Sequence, residues 1–424
     1  MRILLGLNEI AGNLQALKEG FDRIGVECDL VLVDEYQFGV KQELLAKNWN
    51  ITLARYFIVQ YRKFKKNAFM KIPLSICSFM ARLLLLLRCI YTYDVFVMHA
   101  YSRFLNYKEL PVLKFFGKKI IYQVVGSDFR PPYLDGSYFN KSLTEIFHLT
   151  LMTKKRVNIL EKYASCIISY NPVSHFQKRT FVDYRYIGIA VKEYDKDIDA
   201  DNIPLCYQKK KKYKIVHAPT NKVAKGSAKI IAVIEELRKR YDIEFVLLYG
   251  MDNREILYHI ATSDFVIDQL YSEGCMARFS CEAAFFGKPS IVTGYDVSYL
   301  YHDMEDRELI PPLMLGKPEN IKELIIKMIE DDDYRISLGK RARNFVTNIW
   351  KPEVVAEKIK KIAEGTIDEK WLFNPFENRF GGYYGKEIET MKKDLSEYIQ
   401  SYGDDKLFLE HNLELKRKVL SLLK

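Results

Sequence analysis

The chain has 424 residues, 48% of them apolar, which is too long for one hydrophobic core and apolar enough for two, so two domains are expected and a half-disordered chain is excluded. Its net charge of +10 suits anionic partners, whether nucleotide, membrane surface or nucleic acid; nucleic acid is set aside because the basic residues neither alternate with aromatics nor form a binding module. Seven cysteines without C-x-x-C or Cys/His ligand spacing exclude a disulfide scaffold and a bound metal, and imply reduced thiols in the cytoplasm.

In chain order, "RILLGL" reads as a strand and is too short for a signal peptide. The turn "NEIAGN" follows, and then Leu14, Leu17, Phe21 and Ile24 recur at helical spacing until Gly25. "CDLVLVD", "DVFVM", "KKIIYQVV", "SCIIS" and "YRYIGIA" are further strand candidates, separated by helical stretches near Lys71–Tyr93 and Leu143–Tyr163. This alternation predicts a doubly wound parallel sheet, whose ligands gather at the loops after the strands.

Between Tyr61 and Tyr93 there are seven basic and no acidic side chains. The five-leucine run between Arg82 and Arg88 is far below the ~20 residues that span a bilayer. Two readings stand side by side: a helix lying in the interface of an anionic leaflet, and a solvated basic strip beside a core helix.

The pattern stops over Asp195–Lys212, which predicts a domain boundary. It resumes with "YKIVHA", a helix over Ser227–Tyr241, "IEFVLLYG", a helix near Arg254–Thr262, "DFVIDQL", a helix near Arg278–Phe286, and "PSIVTG". The expected architecture is therefore α/β, with two doubly wound Rossmann-like domains facing a cleft (residues 1–205 and 206–350) and a helical extension over 351–424. A final amphipathic helix is expected over Lys406–Lys424, packed on the first domain or open to a partner.

Two stretches carry chemistry. In "HAPTNKVAKGSAKII" a turn with Lys222, Lys225 and Gly226 leads into a helix, whose first N–H groups and lysines suit a diphosphate; solvated lysines in an exposed turn are the plain alternative. In "RFSCEAAFFGKPSIV" Glu282 stands among apolar residues and needs a partner, either a neighbouring donor or the two hydroxyls of a ribose.

Taken together, strand, lysine-glycine turn, helix, "DFVIDQL", Glu-containing helix and "GKPSIV" over Lys214–Thr293 resemble the donor domain of retaining glycosyltransferases with the GT-B fold, family 4 in particular. That resemblance implies a donor sugar carried on a nucleoside diphosphate of UDP or GDP type, no separate cofactor, and a glycan or glycolipid acceptor. Lys225 would hold the diphosphate, with Lys222 substituting for the usual arginine because Pro219 stands at that position. Glu282 would hold the ribose, with Gly226 in the phosphate turn and Gly250 at the base. In the first domain, Gly12 and Asn13 would lie near the transferred sugar or donor phosphate. Asp128 and Arg130 match the sugar-side "H-G-x-D-x-R" loop, in which Val125 replaces the histidine, and His99 matches a strand-end histidine. Gly274 stands where a glutamate is common, with Glu273 one place off and Ala277 replacing a glycine, so the sugar-gripping loop is altered. Two rivals stay open: a sugar-nucleotide epimerase and a noncatalytic sugar or polyanion binder. A Rossmann dehydrogenase is disfavoured because "GLNEIAGN" lacks G-x-G-x-x-G spacing.

Overall fold

The computed structural model describes residues 1–33, 45, 48–194 and 212–423. The predicted boundary over Asp195–Lys212 lies outside the described residues apart from Lys212, as does Cys206. The other six cysteines are free thiols.

The first domain carries β1 (Ile3–Leu7), β2 (Cys28–Leu32), β3 (Val95–His99), β4 (Lys119–Gln123), β5 (Cys166–Ser169) and β6 (Phe181–Asp183). Its helices are α1 (Asn13–Arg23), α2 (Trp49–Phe64), α3 (Ala68–Thr92), α4 (Glu109–Phe115), α5 (Leu143–Tyr163) and α6 (Tyr184–Ile187). The second has β7 (Lys212–His217), β8 (Asp242–Leu247), β9 (Phe265–Gln269), β10 (Ser290–Thr293) and β11 (Met314–Gly316). With them come α7 (Ser227–Leu237), α8 (Asn253–Ala261), α9 (Arg278–Phe285), α10 (Val297–Leu300), α11 (Ile321–Glu330) and α12 (Asp332–Asn344). The chain then adds α13 (Pro352–Glu364), the short strand β12 (Leu372–Phe373), α14 (Ile388–Tyr402) and α15 (Leu413–Ser421).

Among the described residues the sheets run β12-β6-β5-β4-β3-β1-β2 and β11-β10-β9-β7-β8. All pairings are parallel except β12 on β6. Strands such as "ILLGL" and "FVIDQ" are buried along their whole length, which is why their apolar runs are continuous rather than alternating. In each domain the first strand lies between the second and third, so each sheet has a switch point where connections leave in opposite directions.

Two expectations change. "YRYIGIA" is not a strand beyond Asp183: the Asp183 carboxylate caps Arg185 N at 2.9 Å, a turn of helix follows, and Gly188 at φ 83° ends it. The leucine run is part of a 25-residue helix, and Phe69–Thr92 is long and apolar enough to cross a membrane. Leu85, Leu86 and Cys89 of that helix nevertheless pack in the first domain's core, while Phe69, Ile72, Ile76 and Phe79 on its N-terminal half are exposed.

The C-terminal segment returns to the first domain. Val355, Ala356 and Ile359 of α13 pack against Leu14, Leu17 and Phe21 of α1. Met391, Leu395, Leu415 and Val419 of α14 and α15 join the core on the opposite face of the first sheet. The helix expected over Lys406–Lys424 is shorter: Asp404–Leu407 is a 3-10 turn, and the Asn412 side chain accepts from Leu415 N at 3.0 Å to start α15.

Candidate functional site

The carboxyl ends of both sheets face one cavity of about 420 Å³. Ala11, Val125 and Tyr170 line it from the loops after β1, β4 and β5, with Asn13 at the start of α1; Thr220, Lys225 and Glu273 line it from the loops after β7 and β9. The crevice therefore lies where switch-point geometry places ligands.

The lysine-glycine turn is shaped by local bonds. Asn221 Oδ1 accepts from Val223 N and Ala224 N at 3.1 Å each, and Gly226 adopts φ 70°. A Cβ on Gly226 would stand 2.6 Å from Leu270 Cβ, so only glycine fits. His217 Nε2 meets Ser227 Oγ at 2.9 Å and its Nδ1 meets the Ile267 carbonyl at 2.7 Å, which ties the start of α7 to the sheet. Burial holds the His217 pKa down at about 4. α7 carries no side-chain cap; Ser227 N donates to the Lys222 carbonyl at 2.9 Å, and the helix end keeps its partial positive charge.

Lys225 lines the cavity, and its Nζ donates to Asp268 Oδ1 at 2.5 Å. Asp268 is fully buried and also accepts from Ser280 Oγ at 2.7 Å. Lys222 stands away from this pair, exposed, with Nζ 4.4 Å from the Tyr249 ring centroid.

On α9, Glu282 is buried and takes the neighbouring-donor alternative: Tyr194 Oη donates to it at 3.2 Å and Arg278 Nε lies 3.6 Å away. Burial raises its pKa, opposed by Arg278. Arg278, one turn earlier, lines the cavity, whereas Glu282 does not.

On the first domain, Arg130 is buried and held by two carboxylates, Asp135 Oδ2 at 2.8 Å and Glu273 Oε1 at 2.6 Å. Glu273 belongs to the altered loop of the second domain and also accepts from Tyr170 Oη at 2.9 Å. The Tyr384 ring lies 3.8 Å from the Arg130 guanidinium. This ion pair crosses the cleft at one end. At another, Arg185 on α6 reaches Asp303 at 2.6 Å.

Asp128 is buried beside the cavity, with Oδ2 accepting from Val125 N at 3.3 Å; desolvation pushes its pKa up to about 6. Its backbone carbonyl accepts from Arg156 at 2.6 Å, so the residue braces the loop that presents Val125 and Gly126. His99 is buried at the end of β3, its pKa driven down to about 4 by burial, and does not line the cavity. Gly12 precedes α1 at φ 75°, and Gly250 follows β8 at φ 71°, exposed. The Glu9 carboxylate accepts from the N–H groups of Ile10, Leu14 and Gln15 at 2.7, 3.2 and 3.0 Å, so the N-terminal donors of α1 at Leu14 and Gln15 are already used.

Of the residues nominated from sequence, Lys225, Asn13 and Arg130 line the cavity and Gly226 shapes its turn, while Gly12, Lys222, Glu282, Asp128, His99 and Gly250 do not line it. Sequence reasoning missed Arg278, Tyr170, Arg185 and Tyr384, and gave Glu273 no role. The i, i+4 spacing of Arg278 and Glu282 was a usable signal; the others join across hundreds of residues or between domains. Among the described residues no group of three His, Cys, Asp or Glu side chains is placed to hold a metal ion.

Structures of similar architecture exist. A trehalose-6-phosphate synthase studied with bisubstrate glycomimetics superposes with a TM-score of 0.50 at 11% identity, covering 86% of this chain and 98% of that one. The fold is the GT-B fold. HepE from Anabaena in complex with UDP-glucose gives a TM-score of 0.49 at 13% identity, over 86% of this chain and 99% of its own. A Listeria monocytogenes protein assigned as a UDP-N-acetylglucosamine 2-epimerase gives 0.44 at 11% identity, over 86% and 97%. No protein-family model matches the chain, and no curated protein matches it.

Proposed function

We propose that this protein is a glycosyltransferase that moves a sugar from a UDP- or GDP-type donor to a glycan or glycolipid acceptor. The observation that carries the reading is the cationic cavity where the carboxyl ends of the two sheets meet, with Lys225 and the uncapped start of α7 on its donor side. In this reading Lys225 and the helix end take up charge as it develops on the leaving diphosphate, an electrostatic role that calls on no metal. Closure of the domains brings the acceptor to the anomeric carbon and excludes water. Retention of configuration and a family-4 relationship are what the resemblance of the second domain implies.

The free thiols support a cytoplasmic location, and the exposed apolar and basic face of α3 supports peripheral contact with the inner leaflet and a lipid-linked or cell-surface polysaccharide acceptor. One observation favours the noncatalytic rival: Glu273, which stands beside the position of the family's sugar-gripping glutamate, is spent on Arg130 and Tyr170.

Incubation with UDP- and GDP-sugars separates the readings. A transferase frees nucleoside diphosphate faster when acceptor glycolipid is present. An epimerase alters the sugar without freeing nucleotide, and a binder does neither; either of those results ends the proposal.

A further inference from the structure

Three other cations of this cleft are already hydrogen-bonded to carboxylates, most of them buried. Arg130 is held by Asp135 and Glu273, Arg185 by Asp183 and Asp303, and Lys225 by Asp268. Arg278 is different. Its side chain is only 16% exposed, yet its one hydrogen bond among the described residues is a 3.4 Å contact from Nη1 to the Ala190 carbonyl. Nε has no hydrogen-bond partner, because the nearest Glu282 oxygen is 3.6 Å away. A guanidinium carries five N–H donors in a planar fork that matches two oxygens of a phosphate; the Arg278 charge is balanced by Glu282 at 3.6 Å, but its Nε is buried with no hydrogen-bond partner, which is unfavourable.

The position of that fork narrows what fills it. Nη2 lies 3.1 Å from where a Cβ on residue 12 would sit, so the guanidinium of a second-domain residue rests on the loop that follows β1. The donors of α1 at Leu14 and Gln15 are spent on Glu9 and do not serve an anion there, whereas the Arg278 guanidinium is a cation placed against that loop. Arg278 and Lys225 line the same cavity.

We propose that Arg278 grips oxygens of the donor's diphosphate and, through its contact with the residue 12 loop, links the second domain to the first when donor is bound. This rests on the donor-site reading above and assigns to Arg278 the second cationic contact that the sequence had given to Lys222.

The test uses the full chain and its Arg278→Gln and Arg278→Lys variants, with thermal midpoints and calorimetric affinities for UDP, GDP and UDP-glucuronate. Wild type is expected to bind UDP or GDP. Arg278→Gln is expected to weaken that nucleotide at least tenfold while the ligand-free protein stays folded, because Glu282 loses the Arg278 charge 3.6 Å away but keeps its hydrogen bond from Tyr194. Arg278→Lys keeps the charge without the fork and should fall between them. Affinity within twofold of wild type in Arg278→Gln overturns the assignment and leaves the donor reading standing. A ligand-free Arg278→Gln protein that is unfolded by circular dichroism at the binding temperature makes the residue structural and overturns it as well. A loss confined to UDP-glucuronate places the anion on the sugar, against the diphosphate. Wild type that binds none of these overturns the donor reading itself.

Discussion

Lys225 joins two demands in one side chain. As a cavity cation it is available to a ligand, and as the partner of Asp268 it compensates a carboxylate that is fully buried. Removing one member of a buried pair costs more than removing both, because the survivor keeps its desolvation penalty. Lys225→Ala is therefore expected to lose nucleotide binding and about 2–3 kcal/mol of stability, with a thermal midpoint lower by about 5–10 °C. Lys225→Met combined with Asp268→Asn should regain most of that midpoint without regaining nucleotide binding. Thermal melts with and without UDP and GDP check both halves; equal midpoints for Lys225→Ala and wild type would remove the structural role. At this scale the sequence was partly legible. A lysine before a glycine at a strand–helix turn marks itself, but its partner is 43 residues away and is brought near by the pairing of β7 with β9. Glu282 was legible as a carboxylate in need of a partner, and Arg278 one turn earlier supplied part of the answer. The Arg130–Glu273 pair was not legible at all, since it depends on how two domains face each other.

Elements with strong periodicity were legible because one physical requirement fixes them. The runs that became β1, β3, β4, β7 and β9 have apolar centres, with polar residues at the ends of all but β1, and those centres end up buried on both faces between helices. "YRYIGIA" misled because aromatic and branched residues alternate there as in a strand, while capping by Asp183 and the left-handed Gly188 decide the backbone. A side chain at Gly188 would also strike Trp350 at 2.4 Å. The α2–α3 hairpin shows where period alone stops. Ser78, Ala81, Leu85 and Cys89 turn one face of α3 inward, while Phe69, Ile72, Ile76 and Phe79 keep a second apolar face in solvent beside exposed Lys65, Lys66 and Lys71. An apolar face bordered by lysines matches an anionic leaflet. Ile72→Glu with Ile76→Glu is expected to abolish cosedimentation with vesicles containing phosphatidylglycerol while leaving the thermal midpoint and the response to UDP and GDP unchanged, because neither residue is in a core. Unchanged cosedimentation would detach this face from any membrane role.

At the scale of the whole molecule the chain order and the folding units differ. Residues 212–350 hold a sheet and most of two cores, one of which also takes in Val191 and Tyr194. The first sheet instead borrows from the far end of the chain: α13 lies on α1, β12 extends β6, and α14 and α15 close the opposite face. The carbonyl of Pro352 would be 2.2 Å from a Cβ on Gly20, so the glycine in α1 is what lets α13 approach. Between these helices, "RFGGYYG" passes along the domain interface: Gly381 N donates to Asp296 at 2.9 Å, Gly385 N to the Tyr271 carbonyl at 3.0 Å, and Gly136 N to the Tyr384 carbonyl at 2.7 Å. That seats Tyr384 on Arg130 at the cavity wall, so the segment that interrupts the helical pattern is the one that touches both domains and the site. Separate expression should expose this asymmetry. Residues 206–350 alone are expected to melt cooperatively, whereas residues 1–205 alone lack the apolar partners of both faces of their sheet and are expected to stay molten or aggregate. Adding residues 351–424 as a second chain should restore a cooperative transition in circular dichroism. If residues 1–205 fold alone with a sharp melt, the C-terminal helices cover a finished domain instead of completing it, and Tyr384 would then be free to leave the cavity without unfolding its neighbours.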